Sequence, residues 1–323
     1  MTVDHNFSDG KPLRINTTSR LRLGIALGSG IARGWAHIGV LRALGRVGIE
    51  PDIVCGTSIG ALVGGAYVGG WIDPLEAWAR ELTRVGLARL LDIQLGHGGL
   101  IAGRRIVNIF DDGKTERLIQ NLPKRFASVC TDLDTGHEVW LQQGNLFDAI
   151  RASCALPGVV PPVSVDGQRL LDGAIVNPVP VSVCRALGAT LVIAVNLNAD
   201  ISEPGFSAAA GDLAAGEESA ILSRMKNLPG TELVRQLFSR WNGEPSILGV
   251  MARTMNIVQD RISRSRLAGD PPDVTIAPKL GHIGIFQLER ARESIEAGEA
   301  AVAEVVPLLK DGLRRFRALG QGQ

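Results

Sequence analysis

The 323-residue chain has few aromatic residues, few cysteines and almost no net charge. Aromatic residues make up 4% of it and the formal charge is +1, so neither a base-stacking platform nor a basic surface for nucleic acid is indicated. The four cysteines are far apart and include no C-x-x-C pair. This spacing argues against a disulfide framework or a zinc site, and it favours a reducing, cytoplasmic location.

The longest uncharged apolar stretch, Ile53–Ile72, is interrupted by eight small or polar positions, six of them glycine, and therefore predicts a buried helix. No window of about 18 residues is apolar enough to cross a bilayer, and residues 1–20 are polar, without the apolar core of a signal peptide. We therefore expect a flexible leader over residues 1–20. We expect membrane contact to be peripheral where it occurs.

Hydrophobic residues make up 45% of the chain, which is enough to form a buried core, and 39 residues are glycine. Two short apolar runs, Leu21–Gly30 and Pro51–Ser58, predict buried strands, and a segment with helical character follows each of them. Strand, helix, strand and helix with short connections predict an α/β fold around a parallel sheet.

The rest of the chain fits one large domain over residues 21–323. Residues 125–141 alternate around an Asp-Thr-Gly turn, which predicts a hairpin. Over residues 199–243 the composition shifts to Ala, Gly, Ser and Glu, which indicates a mobile insertion. A closing helix with a basic end is expected over about 287–318. The insertion and this basic end are the candidate membrane contacts, although cations at a helix C-terminus also suit the helix dipole.

Ser58 lies in the pentapeptide Gly56-Thr57-Ser58-Ile59-Gly60, between a predicted strand and a predicted helix. This is the G-x-S-x-G pattern and context of a nucleophile elbow, in which small neighbours allow a sharp, strained turn. The helix N-terminus would stabilise a developing oxyanion. The alternative is a serine that only caps the helix, a role that needs no catalysis.

A nucleophilic serine needs a base, and the sequence offers two. His282 follows the predicted last strand, where the histidine of a hydrolase triad would lie, but a loop histidine there needs no function. Asp172 lies between a leucine pair and a glycine. Desolvation would raise the pKa of this carboxyl and make it a better base, although Asp-Gly is also an ordinary turn sequence. The residues alone leave both bases open.

The glycine-rich loop Gly28–Gly34 joins the first predicted strand to the first helix. It begins like the G-x-G-x-x-G of dinucleotide sites, but Arg33 occupies the third glycine position, and Glu50 and Asp52 come too early in the second strand. Its successive N–H groups can instead form a nest for an anion, and beside Ser58 such a nest is an oxyanion hole. Arg33 would add charge, pin the loop or lie on the surface.

Four stretches, taken together and in order, resemble the patatin-like phospholipase family in its bacterial branch related to neuropathy target esterase. They are GSGIARGWAHIGVL, GTSIGALVGGAY, RASCALPGVVPPV and DGAIVNPVP, and the agreement in order and spacing covers about Leu21 to Val195. The closing GIFQLERARESIEAGEAAV is similar to the C-terminal helix of the same branch.

The resemblance implies a three-layer α/β/α patatin-like fold with a central, mostly parallel sheet. It also implies a lipid acyl hydrolase with a Ser–Asp dyad, in which Ser58 is the nucleophile and Asp172, in the motif Asp172-Gly173-Ala174, is the base. The glycine loop supplies the implied oxyanion hole: Gly28, Ser29, Gly30, Ile31 and Arg33. The family often has a glycine where this chain has Ser29, and Ala174 replaces another common glycine.

An acyl-serine mechanism of this kind needs no metal or organic cofactor. Its partner would be a lipid or other acyl ester, reached from the cytoplasm or at the inner face of the membrane. An acyltransferase that uses the same acyl-serine and a non-catalytic regulatory protein with a patatin fold are the alternatives. Acyl chain length, head group and oligomeric state are not encoded in any motif we identify.

Overall fold

One mixed sheet organises the part of the chain that the computed structural model describes, which is residues 21–83, 109–111, 117–200, 247–284 and 286–321. The predicted leader and nearly all of the predicted insertion lie outside these residues. The strands of the sheet are β1 (Leu23–Leu27), β2 (Ile53–Thr57), β3 (Arg125–Asp132), β4 (Glu138–Leu141), β5 (Val163–Val165), β6 (Gln168–Asp172), β7 (Leu191–Val195) and β8 (Val274–Ile276).

The strand order is β5-β6-β3-β2-β1-β7-β8, and β4 pairs with β3 off this path. Strands β3, β2, β1, β7 and β8 are parallel, whereas β4 and β6 pair with β3 in the antiparallel sense and β5 extends that edge. The mostly parallel sheet and the β3–β4 hairpin are therefore confirmed. Because Leu27 of β1 is in register with Gly56 of β2, the loop after β1 and the turn after β2 leave the sheet at the same edge.

Helices follow the strands as the sequence alternation predicts. The first helical segment begins as a 3₁₀ turn, Ile31–Trp35, and continues as an α-helix. The α-helices are α1 (Ala36–Arg46), α2 (Ile59–Val68), α3 (Ile72–Glu81), α4 (Leu146–Ser153), α5 (Val181–Ala186), α6 (Ile247–Gly269) and α7 (Ala291–Gln321). None of the helices in the described residues combines the length and the apolar character that a bilayer crossing requires.

The sheet is buried on both faces, which gives the three layers of the predicted fold. Leu23, Ile25 and Leu27 alternate along β1 and belong to a large apolar cluster with residues of α1, α2 and α7. Ala26 points to the opposite face and belongs to a second cluster, to which Val183 of α5 contributes. The three-layer α/β/α architecture is confirmed.

Helices α1 and α7 pack closely because glycines face the contact. A Cβ atom at Gly39 of α1 would overlap the carbonyl oxygen of Ile295 in α7. A Cβ atom at Gly298 of α7 would in turn overlap the carbonyl oxygen of Ala36. This close approach places the N-terminal half of α7 against the helix that follows the glycine loop.

Gly39 and Gly45 lie on the same helix and provide a matched test of this packing. Gly39→Ala is expected to lower the free energy of unfolding by about 1–3 kcal/mol, because the added methyl group meets the backbone of α7. Gly45→Ala has open space around it and is expected to raise that free energy by roughly 0.5 kcal/mol through helix propensity. Urea unfolding followed by circular dichroism measures both, and equal effects of the two substitutions would contradict the close contact.

Candidate active site

Ser58 and Asp172 are hydrogen bonded to each other in the structure. Ser58 follows β2 and Asp172 ends β6, and the Ser58 Oγ donates to Asp172 Oδ2 over 2.6 Å. Both residues are buried, with exposed fractions of 7% and 2%. The sheet brings them together because β3 pairs with β2 on one side and with β6 on the other, where Cys130 is opposite Asp172.

The backbone at Ser58 has the strained conformation of an elbow. Its φ of 58° and ψ of −124° are rare for a residue with a Cβ atom and cost on the order of 1–3 kcal/mol. The amide of Ser58 donates to Ser153 Oγ over 2.8 Å, which holds the turn from outside. Gly56 and Gly60 are glycines because a Cβ atom at either position would overlap backbone atoms, those of Gly60 and Leu27 respectively.

The alternative that Ser58 only caps a helix is wrong, because its side chain makes no capping hydrogen bond. Ser58 stands at the N-cap position of α2, but its side chain accepts no capping hydrogen bond. The hydroxyl is directed to Asp172 instead. A cap would have used the oxygen as an acceptor, whereas here it acts as a donor to a carboxylate.

Among the described residues, Asp172 accepts hydrogen bonds only from uncharged groups. Its Oδ1 accepts from the amide of Ala174 over 2.8 Å, and its backbone carbonyl accepts from the Thr131 hydroxyl over 2.8 Å. Burial raises the pKa of Asp172 to about 6, against the opposing effect of the hydrogen bonds from Ser58 and Ala174. Desolvation has thus produced a carboxylate with unusually high proton affinity, beside a hydroxyl group.

Among the predicted oxyanion-hole residues, two have backbone amides that can donate to an anion. The amides of Gly28 and Ser29 donate to backbone carbonyls, those of Val195 at 3.1 Å and Pro178 at 2.9 Å. Within the described part of the chain, the amides of Gly30 and Ile31 have no such partner. Ile31 has a φ of 49°, which is rare for a β-branched residue. Of the predicted oxyanion-hole residues, Gly30 and Ile31 are therefore the ones with N–H groups to offer.

Arg33 anchors the loop and does not lie on the surface. It is 1% exposed, and its Nε donates to the carbonyl of Ile283 over 3.0 Å. Its Nη1 donates to Asn198 Oδ1 over 3.3 Å. Burial lowers the pKa of Arg33 to about 10, partly offset by Asp200. Of the three roles that the sequence left open for Arg33, pinning the loop fits these contacts.

His37 of α1 also holds the glycine loop, a role that the sequence analysis missed. It is fully buried in α1, and its Nε2 lies 2.7 Å from the carbonyl oxygen of Gly28. Burial lowers the pKa of His37 to about 4, so the ring is neutral and donates this hydrogen bond. A polar residue among the apolar residues of the first helix was the available signal.

The structure does not bring His282 to Ser58. The His282 ring is half-exposed, and its Nε2 lies 2.6 Å from Glu293 Oε1. The Ser58 hydroxyl donates to Asp172 instead. This arrangement disfavours the triad alternative and favours a dyad.

An apolar cleft opens beside the free amides. Gly30 and Ile31 form part of its wall, and Leu156, Met251, Met255 and Phe286 contribute apolar side chains. Methionines adapt their shape to flexible ligands. The cleft therefore has the chemistry to hold a hydrocarbon chain beside the glycine loop.

Comparisons with known proteins agree with this geometry. The family model for patatin-like phospholipases matches residues 25–185. An uncharacterized NTE family protein of Mycobacterium tuberculosis is 33% identical, over 91% of this chain and 94% of that one. Patatin-like phospholipase domain-containing protein 6 of Mus musculus is 33% identical over 54% of this chain, which corresponds to 13% of the mouse protein. The solved structure of VipD from Legionella pneumophila is similar in fold, with a TM-score of 0.50 and 11% identity over 89% of this chain and 66% of that one.

The pKa of Asp172 has a consequence for stability. Because the carboxyl titrates at about 6 when folded and at its ordinary 3.8 when unfolded, the folded state is penalised by roughly 3 kcal/mol above pH 6. The penalty is absent below about pH 4, where the group is protonated in both states. Asp172→Asn removes the charge and keeps an acceptor for the Ala174 amide, so it is expected to stabilise the protein at pH 8.

Urea unfolding at pH 8, 6 and 4.5 measures this effect. The gain from Asp172→Asn is expected to shrink as the pH falls through 6. The control is Asp134→Asn, which removes an exposed carboxylate paired with Arg169 and should change stability by less than about 1 kcal/mol. A gain that is the same at all three pH values would contradict a raised pKa.

Proposed function

The chain belongs to the patatin-like phospholipase family, and on that premise we propose that it is a serine hydrolase of lipid acyl esters. Ser58 is the nucleophile and Asp172 the general base. The observation that carries the proposal is the 2.6 Å hydrogen bond between these two buried side chains, at a strained turn. The neighbouring glycine loop adds two amides, those of Gly30 and Ile31, that have no acceptor among the described residues. A structural serine would need none of these features together.

In the acylation step, Ser58 Oγ attacks the carbonyl carbon of the ester while its proton passes to Asp172 Oδ2. The carbonyl oxygen becomes an oxyanion, and the amides of Gly30 and Ile31 stabilise it as the charge develops. Collapse of the tetrahedral intermediate breaks the bond to the alcohol, which leaves with the proton from Asp172. The product is an acyl-serine at Ser58.

In the deacylation step, Asp172 accepts a proton from water, and the resulting hydroxide attacks the acyl-serine. The second tetrahedral intermediate uses the same amides. Its collapse returns the proton to Ser58 Oγ and releases the fatty acid. A pKa of about 6 suits both steps, because the carboxylate is largely ionised at neutral pH and still binds a proton readily.

The substrate class follows from the cleft and the family together. A cleft lined by Leu156, Met251, Met255 and Phe286 suits an acyl chain, with its carboxyl end at the free amides. Phospholipids, lysophospholipids and other acyl esters present such a group. A lipid substrate also implies transient contact with a lipid surface, which is part of the proposal.

Ser58→Ala and Asp172→Asn are each expected to lower kcat for a p-nitrophenyl acyl ester by at least about 10³-fold. The first removes the nucleophile, and the second removes the base while preserving the shape of the site. His282→Ala is the control and should have a mild effect. Full activity in either dyad variant would contradict the assignment. Product analysis with added alcohol separates a hydrolase, which releases free fatty acid, from an acyltransferase.

The pH dependence tests the identity of the base. Because Asp172 must be ionised to accept the proton, kcat/KM is expected to rise with pH, with an inflection near pH 6, and to level off above about pH 7. At pH 5 it should be about a tenth of the plateau value. Initial rates between pH 4.5 and 8.5, on an ester whose product is quantified by chromatography, give the profile. An inflection near pH 7 that disappears in His282→Ala would point to histidine as the base.

A further inference from the structure

Ser29, which lies between Gly28 and Gly30 in the glycine loop, forms a side-chain hydrogen bond with a helix that is distant in sequence. Its Oγ donates to Oε1 of Gln259 in α6 over 2.9 Å, and the two residues are 230 positions apart. Ser29 is 2% exposed and Gln259 is 5% exposed. A buried hydrogen bond between two side chains is costly to leave unmade, so it holds the parts that it joins.

The other end of the loop meets the same polar cluster. Asn198 Nδ2 lies 3.5 Å from Gln259 Oε1, and Asn198 Oδ1 accepts from Arg33. Ser29 and Arg33 are thus both anchored to the amide groups of Gln259 and Asn198. The residues between these two anchors include Gly30 and Ile31, whose amides have no acceptor among the described residues.

This stretch of backbone needs support from outside. Ile31 has a φ of 49°, a conformation that costs on the order of 1–3 kcal/mol and persists only where the surroundings impose it. The orientation of the Gly30 amide depends on the torsions of the Ser29–Gly30 peptide unit. Fixing the Ser29 side chain therefore restricts the direction of the first free N–H group.

We propose that Gln259 is a positioning residue for the reaction described above. Through the Ser29 hydroxyl it holds the amides of Gly30 and Ile31 where the oxyanion forms. The inference rests on the proposed function, because the amides matter only if an oxyanion develops there. Gln259 also borders the apolar cleft, so an effect on substrate binding has to be separated from an effect on the transition state.

Steady-state kinetics separate the effect on substrate binding from the effect on the transition state. The variants are Gln259→Met, Ser29→Ala and the double variant. Methionine has nearly the size of glutamine but offers no comparable acceptor, and alanine removes only the hydroxyl. Each single variant is expected to lower kcat about tenfold with little change in KM, because the donors are misplaced and not removed. The double variant should be no worse than either single one, since all three lack the same hydrogen bond.

Ser263→Ala is the matched control on the same helix. Ser263 is 2% exposed and lies one turn beyond Gln259, and its hydroxyl has no hydrogen-bond partner among the described residues. It should behave like the wild type. Multiplicative losses in the double variant, or a change confined to KM, would overturn the proposal.

Hydrogen exchange provides a readout that needs no catalysis. In the wild type the Ser29 amide donates to the carbonyl of Pro178. Exchange in a peptide covering residues 28–33 is expected to accelerate in Gln259→Met and in Ser29→Ala, and not in Ser263→Ala. Unchanged exchange in Gln259→Met would overturn the proposal.

The two kinds of failure can be told apart. A wild type that hydrolyses no acyl ester would refute the proposed function and, with it, a catalytic role for Gln259. The exchange experiment would still decide whether Gln259 holds the loop. Faster exchange together with unchanged kcat in an active enzyme would refute the positioning role alone.

Discussion

The site depends on the in-register parallel pairing of β1 with β2. Leu27 is opposite Gly56, so the glycine loop and the turn at Ser58 leave the sheet side by side. At Gly60 the backbone of α2 approaches the carbonyl of Leu27 so closely that no Cβ atom fits between them. A slip of one residue would exchange the faces of β2 and direct Ser58 away from Asp172. The apolar clusters on both faces of the sheet stabilise this register together with the fold.

The chemistry of the site opposes the stability of the fold. Burial leaves Asp172 with a pKa of about 6, and Ser58 occupies a backbone conformation that disfavours a side chain. Neighbouring hydroxyl groups hold the backbone of both residues: Thr131 donates to the Asp172 carbonyl, and Ser153 accepts from the Ser58 amide. The same desolvation that destabilises the carboxylate increases its affinity for the serine proton, which is what a dyad without histidine requires.

The strands and the serine turn were predictable because their signals are local. Short apolar runs mark β1 and β2, and G-x-S-x-G marks the turn. The pairing of Ser58 with Asp172 came from the order of motifs in the family, since nothing local links two residues this far apart. The sequence could not tell which loop amides are free, because the partners of Gly28 and Ser29 are carbonyls of distant segments. For the same reason it left the role of Arg33 open and missed that of His37.

These non-local contacts link the glycine loop to other parts of the fold. A run of three glycines has no side chain by which a neighbouring element can hold it, whereas Ser29 gives α6 a hydroxyl to bind. His37 of α1 holds the loop through a backbone group instead, the carbonyl of Gly28. Donors that are already in place need no reorganisation when negative charge develops, and this saving is the main source of oxyanion stabilisation. Because α6 also borders the apolar cleft through Met255, the proposed function gives one helix two tasks: it would support both the acyl chain and the loop that faces its carbonyl group.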